Sequence, residues 1–163
     1  MRKLLLAAIL ALATPTVFVS CSKSSSEANN QDLELNMTNY LVGRWKLASV
    51  SERGGVNNPK YRLEGDFFIT FSKNGNAECS GDAKMHYYYE GESEFLTNNV
   101  SDFVHFEEWL VYYSDVTGYD LSTKVTHNAI SGTRFGLEKN GEGTITLSKL
   151  GVSSYTYYTF KKV

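Results

Sequence analysis

The sequence predicts an all-β fold, an antiparallel up-and-down β-barrel of about eight strands, on three observations. Apolar and polar residues alternate with period two over several short runs, the signature of half-buried strands. Two turns of the same composition, Lys73-Asn74-Gly75 and Lys139-Asn140-Gly141, separate such runs and mark hairpins. Aromatic residues reach 13%, with Tyr 11 and Phe 9, enough to fill a barrel core from a chain of modest aliphatic content.

The chain begins with Met1-Arg2-Lys3 and an unbroken apolar run over residues 4–13. That run has the length of a signal-peptide core and falls well short of the ~20 residues a membrane-spanning helix needs. Phe18-Val19-Ser20-Cys21 follows and resembles a lipobox, with a small residue before a cysteine that would be cleaved and lipidated. Residues 1–20 therefore read as a lipoprotein signal peptide and Cys21 as the lipid-attachment site. Residues 21–32 are polar and without apolar period, and read as a flexible tether. By resemblance to bacterial lipoproteins, Ser22 after the cysteine implies the outer membrane, facing the periplasm or the cell surface. With Cys21 lipidated, Cys79 is left without a disulfide partner.

The remaining residues, 33–163, form one domain. Residues 33–40 suggest a short helical turn, with Thr38 a candidate cap. In the first strand, residues 41–50, Trp45, Leu47 and Ser49 share one face, and Lys46, Ala48 and Val50 the other; Gly43 allows a close approach at its start. Residues 51–65 read as a long loop, the kind of excess length from which lids are built. Phe67, Ile69 and Phe71 then alternate inward. A three-residue loop at Lys73-Asn74-Gly75 pairs Phe71 with Ala77 and Ile69 with Cys79 and keeps Glu78 in water. The same reasoning at Lys139-Asn140-Gly141 pairs Phe135 with Ile145. Met85, Tyr87 and Tyr89 face inward, with His86, Tyr88 and Glu90 outside. Residues 103–113 read as strand, although Phe103, Phe106, Leu110 and Tyr113 also fit a helix face. Residues 119–131 hold one more strand. The last strand, Tyr155–Lys162, is the natural partner of Trp45's strand when the sheet closes.

Without Arg2 and Lys3 the chain carries 14 basic against 18 acidic residues, which argues against a sequence-independent grip on nucleic acid. His86, His105 and His127 lack metal-ligand spacing, no Gly-X-Ser-X-Gly elbow occurs, and Cys79 has no basic neighbour in sequence. No enzyme, metal or cofactor is expected, and no catalytic residue is assigned.

Gly43-Arg44-Trp45-Lys46-Leu47, Phe71-Ser72-Lys73-Asn74-Gly75 and Tyr158-Thr159-Phe160-Lys161-Lys162 together resemble the lipocalin-like domains of bacterial lipoproteins. Departures are the absence of a Thr-Asp-Tyr triplet, of a helix after the barrel, and of an arginine after the last strand to stack on Trp45; Lys161 or Lys162 could take that place. The resemblance implies a lipocalin-like barrel. Two functions follow as expectations: binding or carriage of a small apolar or amphipathic ligand in a barrel lined by Trp45, Phe67, Ile69, Phe71, Met85, Tyr87, Tyr89, Tyr158 and Phe160, or a filled barrel serving as a surface or periplasmic module that contacts a protein or glycan. Whether a barrel of this size is hollow is set by its inward side chains.

Overall fold

The structure is a computed structural model and describes residues 25–54, 59–89, 91, 93–94, 96–122, 133–151 and 154–163. The signal peptide, Cys21, and the part of the 119–131 region past residue 122 lie outside the described residues.

The first element is a helix, α1 (Ser25–Leu41). It replaces both the tether from residue 25 onward and the short turn expected at 33–40. Leu33, Met37 and Leu41 recur every fourth residue, so they form one stripe, and Met37 and Leu41 are buried. The stripe docks α1 across one end of the sheet, where Glu34 Oε1 accepts the Tyr113 backbone N–H at 2.9 Å.

Among the described residues eleven strands follow: β1 (Gly43–Arg53), β2 (Lys60–Glu64), β3 (Phe67–Phe71), β4 (Ala77–Gly81), β5 (Lys84–Tyr88), β6 (Leu96–Asn99), β7 (Leu110–Ser114), β8 (Gly118–Ser122), β9 (Arg134–Lys139), β10 (Thr144–Leu150) and β11 (Tyr155–Lys162). Eight of them form one antiparallel sheet in the order β4-β3-β1-β11-β10-β9-β8-β7, curled into a half-barrel. The expected pairing of the first and last strands is present, with Trp45 opposite Lys162 and Leu47 opposite Phe160. Among the described residues the two end strands meet through the stretch before β7. Asn76 bridges Glu108, Ala77 N–H donates to the Glu107 carbonyl at 2.8 Å, and Trp109 N–H to the Gly75 carbonyl at 2.8 Å.

Four sequence expectations change in detail. A bulge between Leu47 and Ser49 shifts the register of β1, so Val50 turns inward in place of Ser49, and Glu52 follows it. The long loop at 51–65 is largely strand: β1 runs to Arg53, and β2 pairs with β5 in a second sheet, β2-β5-β6. The hairpin between β9 and β10 turns at Gly141-Glu142-Gly143, pairing Ile145 with Lys139 rather than with Phe135. That shift of four residues is even, so Phe135, Leu137, Ile145 and Leu147 all remain inward and buried. Residues 103–113 are neither one strand nor a helix; only Leu110–Ser114 is strand.

The irregular residues before β7 account for the state of the interior. Val104 and Phe106 are fully buried. The Phe106 ring meets Phe71 of β3 at 5.5 Å and stacks on Phe135 of β9 at 5.6 Å. These strands stand four apart in the sheet, so Phe106 spans the lumen and fills it.

Candidate binding cleft

The small sheet packs beside the curled sheet near the far end of β1, and an open cleft of about 320 Å³ lies between them. That volume is at the lower end of small-ligand sites. Tyr61 of β2, Met85 and Tyr87 of β5 and Leu96 and Asn98 of β6 form one wall, and Phe103 with Thr156 and Tyr158 of β11 the other. Period-2 alternation builds both walls: Tyr61 lies opposite Tyr87 in the small sheet, and Thr156 and Tyr158 are two apart on β11. The Tyr61 and Tyr87 rings meet edge-on at 5.3 Å with planes at 75°, forming an aromatic corner.

Hydroxyls surround this corner, and two of them bond to one carboxylate. Tyr61 donates its hydroxyl to Glu52 Oε2 at 2.6 Å, Ser154 donates to Glu52 Oε1, and the Tyr87 and Tyr89 hydroxyls lie 3.2 Å apart. Burial, then the hydrogen bond to Glu52, hold the Tyr61 hydroxyl well above the usual tyrosine range. Tyr158 is pushed up to about 12, by burial first and the Glu52 charge second. Tyr87 is also pushed up to about 12, first through its hydrogen bond with Tyr89. These hydroxyls are neutral at physiological pH.

Of the nine residues expected to line a hollow barrel, Met85, Tyr87 and Tyr158 line this cleft, and Tyr89 adjoins it through Tyr87. Trp45, Phe67, Ile69, Phe71 and Phe160 are at most 1% exposed, and they pack in the filled core away from it. Sequence reasoning missed Tyr61, Leu96, Asn98, Phe103, Thr156 and Glu52. Tyr61 sat in a presumed loop, although Tyr61 and Leu63 already alternate with Lys60, Arg62 and Glu64.

Trp45 instead closes the opposite end. Its indole N–H donates to the Leu41 carbonyl at 2.6 Å, its ring lies 5.6 Å from Tyr40, and the Lys162 ammonium sits 5.2 Å from its centroid.

The remaining candidate groups serve other ends. His86 is clasped on the small sheet's other face, Nδ1 to Glu94 at 2.7 Å and Nε2 to Glu64 at 2.9 Å, with Arg62 3.3 Å from Glu94. This cluster ties β2, β5 and the approach to β6 together. His105 is exposed beside Glu107, and His127 lies outside the described residues. Among the described residues no three His, Cys, Asp or Glu side chains are grouped so as to hold a metal ion. Cys79 pairs with Ile69 as the three-residue turn requires, and its Sγ accepts the Phe106 N–H at 3.3 Å. Burial pushes its thiol up, against the pull of that hydrogen bond.

Fold and cleft together define an all-β half-barrel, filled at its centre, with an aromatic cleft at one flank. Comparison of the chain with protein-family models, with curated proteins and with solved structures gives no match in any of the three.

Proposed function

We propose that this chain is a lipoprotein of the outer membrane, anchored through Cys21 and facing the periplasm or the cell surface, with a lipocalin-like barrel that binds a small apolar or amphipathic ligand without enzymatic chemistry. The anchoring reading rests on the basic start, the apolar run over residues 4–13 and the cysteine where that run gives way to polar sequence. Among the described residues no helix is long and apolar enough to cross a membrane, and the apolar run over residues 4–13 lies outside them.

One observation carries the binding reading: the cleft between the sheets is walled mainly by apolar and aromatic side chains yet stays open beside a filled core. The site is therefore the flank of the barrel and not its lumen. Trp45 stands at the other end of β1 from Glu52, so tryptophan emission is a poor reporter and thermal stability a better one. A ligand that ignores the unfolded chain should stabilise by about 2.7 kcal/mol at a hundredfold excess over Kd. A panel of fatty acids, haems, bile acids and glycans should give at least one shift that Tyr158→Ala removes.

A second reading is favoured by the filled lumen itself. A barrel packed by Phe71, Phe106 and Phe135 needs no ligand and would serve as a surface or periplasmic module for a protein or glycan. No stabilisation by any ligand of the panel would leave this account standing. Mass spectrometry of the membrane fraction tests the anchor: the mature chain should begin at an acylated Cys21, and Cys21→Ala should leave the membrane. Another mature N-terminus would overturn the localisation.

A further inference from the structure

The cleft lies beside a carboxylate that pairs with no cation among the described residues. The bulge in β1 brings Glu52 to the inward face, where it stands opposite Thr156 of the cleft wall. Both of its oxygens accept hydroxyl protons, from Tyr61 and Ser154. Neutral donors satisfy its lone pairs but leave its full negative charge in place. Among the described residues no lysine, arginine or histidine pairs with it. Lys149, across Thr156 on β10, reaches the cleft wall at the Phe103 carbonyl, its ammonium 3.5 Å from that oxygen and 5.8 Å from the Phe135 ring centroid, and forms no ion pair with Glu52.

Aromatic ring faces carry negative potential and attract cations, and a carboxylate behind them adds to that field. An anionic ligand would meet the same field as repulsion. The walls offer few groups able to replace the water of a bare ammonium: Asn98 and Thr156 are polar, while the Tyr61 and Tyr87 hydroxyls already bond to Glu52 and Tyr89. A methylated ammonium sheds its water more readily and is the usual guest of aromatic corners. We infer that the cleft takes an organic cation, a methylated ammonium on a short apolar chain, held against the Tyr61–Tyr87 corner and balanced by Glu52. This rests on the binding reading above and specifies its ligand chemistry.

The test compares three probes of one chain length, hexyltrimethylammonium, hexan-1-ol and hexanoate, by calorimetric titration of the mature protein and of Glu52→Gln. The amide oxygen of Gln can still accept the Tyr61 proton, so the variant changes charge more than shape. Hexyltrimethylammonium should bind the native chain about tenfold or more tighter than either other probe, and Glu52→Gln should remove that margin. Should Glu52→Gln fail to fold by circular dichroism, Thr156→Lys places an ammonium in the wall and should abolish cation binding alone. Equal binding of cation and alcohol, a preference for hexanoate, or a cation preference that survives the loss of Glu52's charge would overturn the inference and leave the cleft as a binding site. No binding of any probe would count against both.

Discussion

Gly43 and Lys162 explain each other. Gly43 adopts φ of +131°, and a Cβ there would come within 3.0 Å of Lys162 Cε. The glycine makes room for the lysine to cross its strand, donate to the Tyr40 carbonyl at 2.8 Å and lie over Trp45. Gly43→Ala should therefore destabilise by about 1 kcal/mol or more in urea unfolding, through both backbone strain and the displaced lysine. Lys162→Met keeps the length but loses the cation over the ring, and should lose about 0.5–1 kcal/mol. Tyr158 predicts a pH dependence. Its folded pKa of about 12 exceeds the ordinary tyrosine value, so the folded chain holds this proton more tightly than the unfolded one. Its contribution is complete below pH about 10 and is lost as pH climbs toward 12, the direction opposite to that of a salt-bridged carboxylate. Unfolding midpoints should stay level to about pH 9.5 and then decline, and Tyr158→Phe should make the decline shallower; Tyr61, also raised, accounts for part of what remains. Cys79 should resist a disulfide reagent until the chain unfolds, because burial disfavours its thiolate.

The two hairpins separate what local sequence decides from what it leaves open. In the β3–β4 hairpin, Gly75 has φ of +85°, Ser72 and Asn76 close the three-residue loop, and Phe71 faces Ala77 as face matching requires. Gly75→Val should destabilise by about 1 kcal/mol or more, since a branched residue is strained there. In the β9–β10 hairpin Gly141 is also positive, at +101°, but the three-residue loop starts there and ends at Gly143. Tyr40 selects this register: its hydroxyl donates to the Gly141 carbonyl and accepts the Gly143 N–H, both at 2.9 Å. A residue 101 positions away cannot be seen in the pattern of the hairpin itself. Tyr40→Phe should lower stability by about 1 kcal/mol and broaden the amide resonance of Gly143. Faces were legible in both hairpins because an even register shift conserves them, and so was the pairing of the closing strands Gly43–Arg53 and Tyr155–Lys162. The β1 bulge was not legible, since one extra residue leaves no mark on composition; Glu52 and the cleft were hidden with it. The second sheet was hidden for a related reason: Lys60–Glu64 has only Tyr61 and Leu63 to show its alternation, and a glycine-rich stretch precedes it.

At the scale of the whole molecule the curled sheet has a strong side and a weak one. Strand β1 is held to β11 over eight paired positions and to β3 over four. On the far side, among the described residues, β4 and β7 are joined through residues 106–109, where Trp109 is the pin. Its backbone N–H reaches the Gly75 carbonyl, its indole N–H lies 3.1 Å from both the Ser72 and Asn76 carbonyls, and its ring packs 5.0 Å from Phe71. Local opening follows the places with the fewest bonds, so the barrel should open first at this seam. The amides of Ala77 and Trp109 should then exchange with solvent faster than those of Leu47 and Phe160 in the β1–β11 pair. Trp109→Phe keeps a ring against Phe71 but leaves the carbonyls without the indole donor, and should cost about 1–3 kcal/mol. The decisive reading is its distribution: under conditions where the variant remains folded, exchange should accelerate at Ala77 and Phe106, whose amides border the seam and the lumen, and least at Leu47 and Phe160. Equal acceleration at all four amides would mean that the sheet opens only as a unit, and that the seam, despite its single bridge, is as firm as the rest.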